Sequence, residues 1–246
     1  MANEIYLTLK RKHFQIKETI VTIISESNYY IDVAIEEIKK RRIEIENYIK
    51  KNEIFEITFK PYKFNDNDPE IIKKMCISSK IFNIGPMSTV AGTIAYYAVK
   101  AMVSKGSKYA IVDNGGDIAI YANKKVNVGV YTGDCKTGCL AFEMPPCKSI
   151  NAICTSSGKI GHSFSFGNSD AVTIFSKDPS IADAAATILG NLVNKKSDIK
   201  NAFRVIETVK EITGAMIVVD GNIGLWGKLP KIVPANVSYE LITRGW

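Results

Sequence analysis

Apolar residues recur along this chain with two different periods. Over residues 4–12 and 14–24 they alternate or cluster as β-branched runs, as in HFQIKETIVTII, and predict a hairpin of two strands. In SNYYIDVAIEEIKKRRIEIENYIKK the residues Ile31, Ile35, Ile38, Ile45 and Ile49 fall three, four and seven apart. That spacing gathers them on one face of a long helix beginning after a Ser27 or Asn28 cap. Residues 54–59, IFEITF, read as a strand. PYKFNDNDP is a turn-rich loop, and Asp68-Pro69 opens a helix through PEIIKKMCISSKIF. NIGPMSTVAGTIAYYAVKAMVSKG leads from a loop into a helix ending near Gly106, and its lack of charge before Lys100 predicts burial.

KYAIVDNGGDIAIY reads as strand, tight turn and strand, with Asn114-Gly115 supplying the positive φ angles of a hairpin. KVNVGVYTG is a further strand. SINAICTSSG runs as a strand into the Ser/Gly-rich loop TSSGKIGHSFSFGNSD, and AVTIFS is the next strand. Two helices follow, one over SIADAAATILG and one around SDIKNAFRVIETVKEITG, and AMIVVDGNIGLW closes with two strands. Strands and helices mix without a strict βαβ alternation, so the expected class is α+β with mainly antiparallel sheet.

The composition fits a soluble globular chain: 246 residues, 46% apolar and 23% charged. Apolar runs are broken well before the roughly 18 residues that a membrane helix needs, and the polar N-terminus is no signal peptide. A cytoplasmic protein without a membrane partner is expected. The net charge of +7 is not gathered into one tract, because KKRR at Lys39–Arg42 lies among Glu36, Glu37, Glu44 and Glu46. On a helix this is a solvated face with i,i+4 pairs, so no nucleic-acid partner is expected. The five cysteines (Cys76, Cys135, Cys139, Cys147, Cys154) are odd in number and contain no C-x2-C pair. They argue against a disulfide framework and only weakly for zinc. Small apolar residues in strands and loops is the simpler reading; a redox or sulfur-handling role for Cys135, Cys139 or Cys147 stays open.

Chemistry concentrates in three segments. In SIADAAATILG, Asp183 and Thr187 are four apart on a helix of small residues, so both point the same way. A carboxylate and a hydroxyl are hard oxygen ligands suited to Mg²⁺. The alternative is local: Asp178-Pro179 or Ser180 caps the helix, Ser180-x-x-Asp183 fits a capping box, and Asp183 satisfies N–H groups of its own helix. DNGGD sets Asp113 and Asp117 around Gly115 and Gly116, where backbone can approach a ligand. TSSGKIGHSFSFG carries hydroxyls, glycines, Lys159 and His162, a composition able to surround phosphate with donors.

A buried small-residue helix, then NGGD, then TSSG…H, then AD-x3-T is an order that resembles the ApbE-like flavin transferases, the FAD:protein FMN transferases. The resemblance covers residues 75–225. It is closest to an uncharacterised archaeal and bacterial branch carrying TSSG…GHS.SFG.SDA. It implies one ApbE-like, T-fold-related α+β domain over 1–246, with the hairpin and long helix at 1–60 and the ligand-site half at 75–225. Asp183 and Thr187 match the family's metal ligands, which hold Mg²⁺ beside a pyrophosphate. A backbone carbonyl near Val90 to Gly92 matches its third ligand. Gly115, Gly116 and Asp117 match its GGD turn at the nucleotide site. Thr155, Ser156 and Gly158 match its TSG loop, Lys159 is placed to hold phosphate, and His162 stands near its histidine. The resemblance implies FAD or a related nucleotide as ligand and a protein hydroxyl as acceptor, with Asp117 or His162 as the base; the alternative is a nucleotide- or flavin-binding protein that performs no transfer, or a sulfur-metabolism protein using Cys135, Cys139, Cys147 or Cys154. The same branch is associated with assimilation of sulfide into homocysteine. A homodimer is left open. This chain lacks the family's DP-x-TG segment, where SFGNSD stands instead. It has Ala91 in place of the family's Lys before Gly92, and it shortens the insertion after TSSG to Lys159 and Ile160.

Overall fold

The computed structural model describes residues 9–130, 140–157, 167–234 and 243. Strands β1 (Lys10–Ile16) and β2 (Thr19–Ser25) form the expected N-terminal hairpin, turning at Lys17 with φ +51°. Helix α1 (Asn28–Ile49) starts at Ser27, whose hydroxyl accepts the Tyr29 N–H at 3.1 Å. Its face of Ile31, Ala34, Ile35, Ile38 and Ile45 is buried. The KKRR run lies among acids: Arg41 pairs with Glu37 and Glu44, and Arg42 with Glu18 and Glu46.

The expected strand at 54–59 is instead a one-turn helix, α2 (Glu53–Ile57). Only Phe55 of this segment goes inside, where its ring meets Tyr48 and Tyr62 edge-on at 5.0 and 5.3 Å. A single helical turn buries one residue and turns Ile54 and Ile57 to the surface, whereas a strand would bury alternate positions. Helices α3 (Glu70–Ile81) and α4 (Val90–Ser104) follow as expected, with a 3-10 turn, Pro86–Thr89, leading into α4.

Strands β3 (Tyr109–Asn114) and β4 (Asp117–Ala122) pair through the glycine turn. The positive φ angles sit one residue later than expected, at Gly115 (+67°) and Gly116 (+103°), while Asn114 ends the strand paired with Asp117. Both central residues have φ above zero, as a two-residue type I′ hairpin requires. Then come β5 (Val126–Val130), β6 (Leu140–Met144), β7 (Asn151–Ser156), β8 (Ala171–Ser176) and helix α5 (Pro179–Leu192). The second helix of this half is short, α6 (Ile199–Phe203), after a 3-10 turn at Lys196–Asp198. Beyond it the chain tightens into i→i−3 bonds, from Arg204 to Asn201 through Ile206 to Phe203, and the helix stops. Strands β9 (Ile212–Val219), β10 (Asn222–Gly227) and β11 (Lys231–Pro234) close the described fold.

An eight-stranded sheet runs β1-β2-β3-β4-β7-β8-β9-β10, and a three-stranded sheet runs β11-β6-β5. Neighbours pair antiparallel throughout the described residues, so the α+β class holds. Alternation divides the large sheet into two faces. One face carries Val21, Val112, Ala119, Cys154, Ile174 and Ala215, which pack in the two clusters that hold the helices. The other carries Ile111, Ile120, Ile153, Phe175 and Met216 and packs against Val126, Val128 and Phe142 of the small sheet. Among the described residues no helix is long and apolar enough to cross a membrane.

Helices α4 and α5 meet at Gly92. A Cβ there would lie 2.4 Å from the Pro179 carbonyl oxygen and 2.8 Å from Asp183 Cβ, so only glycine allows this approach. Gly92→Ala is expected to destabilise the protein by about 1–3 kcal/mol or more through overpacking against backbone. Gly115 has open space around it, so Gly115→Ala should lose only the left-handed backbone preference, about 1–2 kcal/mol. Urea unfolding of the two variants measures both.

Candidate functional site

Helix α5 is capped by Asp178, not by Ser180. The Asp178 carboxylate accepts the N–H groups of Ser180 at 2.8 Å and Ile181 at 3.2 Å, and its other oxygen takes Lys74 Nζ at 2.6 Å. Asp183 is therefore free of any duty to its own helix. Its Oδ2 reaches across to α4 and accepts the Gly92 N–H at 2.8 Å, with the Ala91 N–H also acting on it. A carboxylate at a helix N-terminus meets donors that have no partner within the helix. The capping-box alternative fails, because another residue already does that work. Asp183 is 7% exposed. Burial pushes its pKa up to about 7, against the lowering effect of the two α4 N–H groups.

Three other segments converge on this corner. Asn114, the last residue of β3, donates its side-chain N–H to the Ala91 carbonyl at 3.1 Å and so ties the glycine turn to α4. The Gly116 N–H is held by Asp113 Oδ1 at 2.9 Å, and the Gly116 carbonyl accepts the Thr155 N–H at 3.1 Å. Asp117 opens β4 directly opposite Cys154 on β7. Burial raises the Asp117 pKa well above the ordinary carboxylate range, and the negative charge of Asp183 raises it further. The Cys154 thiol lies within reach of the Asp117 carboxylate and of the Pro179 carbonyl, 3.5 Å away, and burial pushes its own pKa up.

Asp183, Asp117, Gly115 and Gly116 are thus brought to one corner of the fold, between the start of α4 and the end of β3. Thr187 lies one turn along α5 from Asp183, half-buried. Ser180, on the same stripe, is fully buried, and its Oγ has no hydrogen-bond partner among the described residues. Thr155 and Ser156 belong to β7 and not to a loop. Alternation sends their side chains to opposite faces. Ser156 shares the helix face with Cys154, whereas Thr155 Oγ1 meets Thr173 Oγ1 at 3.0 Å on the other face. Gly158, Lys159 and His162 lie outside the described residues, as do Cys135 and Cys139. The sequence gives no local sign of the side-chain link from Asn114 to Ala91, whereas Gly92 inside an otherwise good helix marks the close approach of α5.

The oxygens present suit a hard divalent cation. Asp183 has a second carboxylate oxygen beyond the one held by Gly92, Asp117 brings another carboxylate, and Thr187 a hydroxyl. Two neighbouring buried carboxylates with raised proton affinity, that of Asp117 raised in part by the charge of Asp183, are a site where added positive charge is favourable. Among the described residues no three His, Cys, Asp or Glu side chains gather into a protein-only metal cage. A cation here would take the rest of its shell from a ligand, as Mg²⁺ commonly does from phosphates.

Among the described residues the other two cysteines offer little nucleophilic chemistry. Cys76 is buried, and burial pushes its pKa up to about 12. Cys147 is half-buried, accepting the Ala122 N–H at 3.3 Å. Neither is in the electropositive, exposed setting that makes a thiol reactive.

Comparison with known proteins agrees with this architecture. A family model described as AbpE bacteria matches residues 5–221. A UPF0280 protein of Methanosarcina acetivorans is 47% identical over 235 residues, covering 95% of this chain and 93% of that one. A UPF0280 protein of Archaeoglobus fulgidus is 44% identical over 241 residues, covering 96% and 100%. Among solved structures, the ApbE protein of Thermotoga maritima superimposes with a TM-score of 0.56 at 13% identity, over 97% of this chain and all of that one. The flavin transferase ApbE of Vibrio cholerae gives 0.52 at 14% identity, over 89% and 96%. At such identities the structural likeness speaks for the fold. The family match over most of the length, with relatives near half identical, establishes that the chain belongs to the AbpE family, among the UPF0280 proteins.

Proposed function

We propose that this protein binds a pyrophosphate-containing nucleotide, FAD or a close relative, together with Mg²⁺, and cleaves the pyrophosphate to transfer the flavin-bearing half to a protein hydroxyl. The observation that carries the reading is the Asp183 carboxylate. It is buried and raised in pKa, it sits beside a second raised carboxylate, and it is anchored on α4 through Oδ2. The name of the Vibrio cholerae neighbour supports flavin transfer as the chemistry to test first.

In this reading Asp183 and Thr187 hold the cation, with Asp117 beside them. The cation would supply Lewis-acid stabilisation of charge on the pyrophosphate oxygens. Asp183 is held by the α4 N–H groups, so its orientation is preset and costs nothing at the moment of reaction. The Gly115–Gly116 turn lets backbone approach the nucleotide closely, and Ser156 on the helix face with Lys159 beyond it would hold phosphate. Asp117, its proton affinity raised by burial and by the charge of Asp183, takes the proton from the acceptor hydroxyl; His162 is the other candidate base. A cytoplasmic location is part of the same proposal.

The second reading is a flavin or nucleotide binder that performs no transfer. SFGNSD in place of DP-x-TG favours it, as does the insertion after TSSG shortened to Lys159 and Ile160, which in the transferases that the chain resembles helps form the flavin site. For a sulfur-handling role, Cys154 is buried with a raised pKa and Cys147 is half-buried, while Cys135 and Cys139 lie outside the described residues.

Incubation with FAD and Mg²⁺ separates the readings. AMP release that falls by roughly 100-fold or more in Asp183→Asn supports transfer, because asparagine keeps an acceptor for the Gly92 N–H and removes the charge. Flavin retained without AMP supports the binder, and neither outcome leaves the nucleotide reading standing if no flavin binds.

The raised Asp183 pKa gives a second test. The unfolded chain loses this proton near the ordinary carboxylate value, and the folded protein loses it only near 7. Metal-free protein should therefore lose stability from this group as pH rises from about 4 to about 7, with the loss complete above that. Mg²⁺ binds the ionised form, so the rise in Tm with Mg²⁺ should be larger at about pH 8 than at about pH 5. An equal rise at both would remove Asp183 from the cation site.

A further inference from the structure

Across β1, β2 and β3, the residues His13, Thr22 and Asp113 stand in one register row. Their side chains form a continuous chain of hydrogen bonds, completed by a residue from the far end of the protein. Thr243 Oγ1 donates to Asp113 Oδ2 at 2.6 Å. Thr22 Oγ1 meets Thr243 Oγ1 at 2.7 Å, and His13 Nδ1 meets Thr22 Oγ1 at 2.7 Å. Each hydroxyl has one proton to give, so with Thr243 giving its own to Asp113 the donors run in one direction: His13 to Thr22, Thr22 to Thr243, Thr243 to Asp113. Thr22 and Thr243 are buried, at 1% and 7% exposure.

The other oxygen of Asp113 holds the Gly116 N–H. The glycine turn is therefore gripped from both faces of the sheet. Asn114 ties it to α4 on the helix face, and Asp113 holds it from the opposite face. Without Thr243, Asp113 Oδ2 would be left in a buried place with no hydrogen-bond donor among the described residues, and a carboxylate in that position turns toward water or other donors. Either movement releases Gly116, two glycines having little preference of their own for this conformation.

We propose that Thr243 is a positioning residue for the candidate site: through Asp113 it fixes the Gly115–Gly116 turn, and with it the place of Asp117. The inference rests on the reading that this turn borders the nucleotide site, yet its effect on the turn can be measured without any ligand. Amide hydrogen exchange at Gly116 reports the turn, and titration with FAD in the presence of Mg²⁺ reports the site.

Thr243→Val keeps the shape and removes the donor. It should speed Gly116 exchange by about 10-fold or more and weaken Mg²⁺-dependent FAD binding by a similar factor, with Thr243→Ser restoring both. Thr22→Val is the control, since it removes a buried hydroxyl of the same chain but leaves Thr243 bonded to Asp113. It should lower Tm while keeping Gly116 exchange within about 2-fold of wild type. Thr243→Ala gives the same reading should the valine variant fold poorly. Unchanged Gly116 exchange in the Thr243 variants, or an equal rise in Thr22→Val, overturns the proposal. Wild-type protein that binds no FAD overturns the nucleotide reading alone, because the exchange result still decides what Thr243 does to the turn.

Discussion

The bond from the Asp183 carboxylate to the Gly92 N–H is the contact around which the candidate site is organised. It joins two helices that are far apart in sequence, and it requires that residue 92 have no side chain. It also settles a competition. An acid in the first turns of a helix ordinarily satisfies its own N–H groups, and here Asp178 does that instead. Asp183 is left to serve a different helix end, beside Asp117 at the start of β4. Buried carboxylates are tolerated where hydrogen bonds or opposite charge compensate them. The two α4 N–H groups compensate Asp183 in part, and the pKa of about 7 measures what they leave uncompensated.

The same logic extends to the glycine turn. A type I′ hairpin of two glycines is permissive, and permissive backbone needs outside restraint to hold one conformation. Asn114 and Asp113 supply that restraint from opposite faces, each bonded to a backbone group. The result is a row of fixed backbone and two raised carboxylates at the end of a twisted antiparallel sheet, with a well-packed face of small residues on α5 alongside. Small residues there let α5 lie close on β7 and β8 and leave Asp183 as the one large polar group in its buried stretch.

Periodicity in the sequence determined most of the elements: the N-terminal hairpin, the long helix with its Ser27 cap, α3, α4, the glycine hairpin, β7, β8, α5 and the closing strands. These segments carry enough apolar residues at one spacing that local pattern and final burial agree. The segment IFEITF went the other way, because five apolar or β-branched residues in six look like a strand while only Phe55 has an aromatic pocket to enter. The helix beyond Asp198 came out short for a similar reason, its apolar residues being buried through tight turns. Strands β6 and β11 belong to a small sheet whose pairing is between segments about ninety residues apart, which no local window contains.

For the site, the sequence alone determined which residue types are present and that Asp183 and Thr187 share a helix face, since that follows from 3.6 residues per turn. It also marked Gly115, Gly116 and Asp117 as a turn. It left open whether Asp183 serves its own helix, and it treated Thr155 and Ser156 as equivalent. Only the tertiary structure decided these points. The first depends on the approach of α4 at Gly92, and the second on strand β7 continuing to Ser156, which sends neighbouring side chains to opposite faces. Local sequence fixes periodicity and turn chemistry; partners brought together across ninety or more residues depend on packing, and packing is a property of the whole chain.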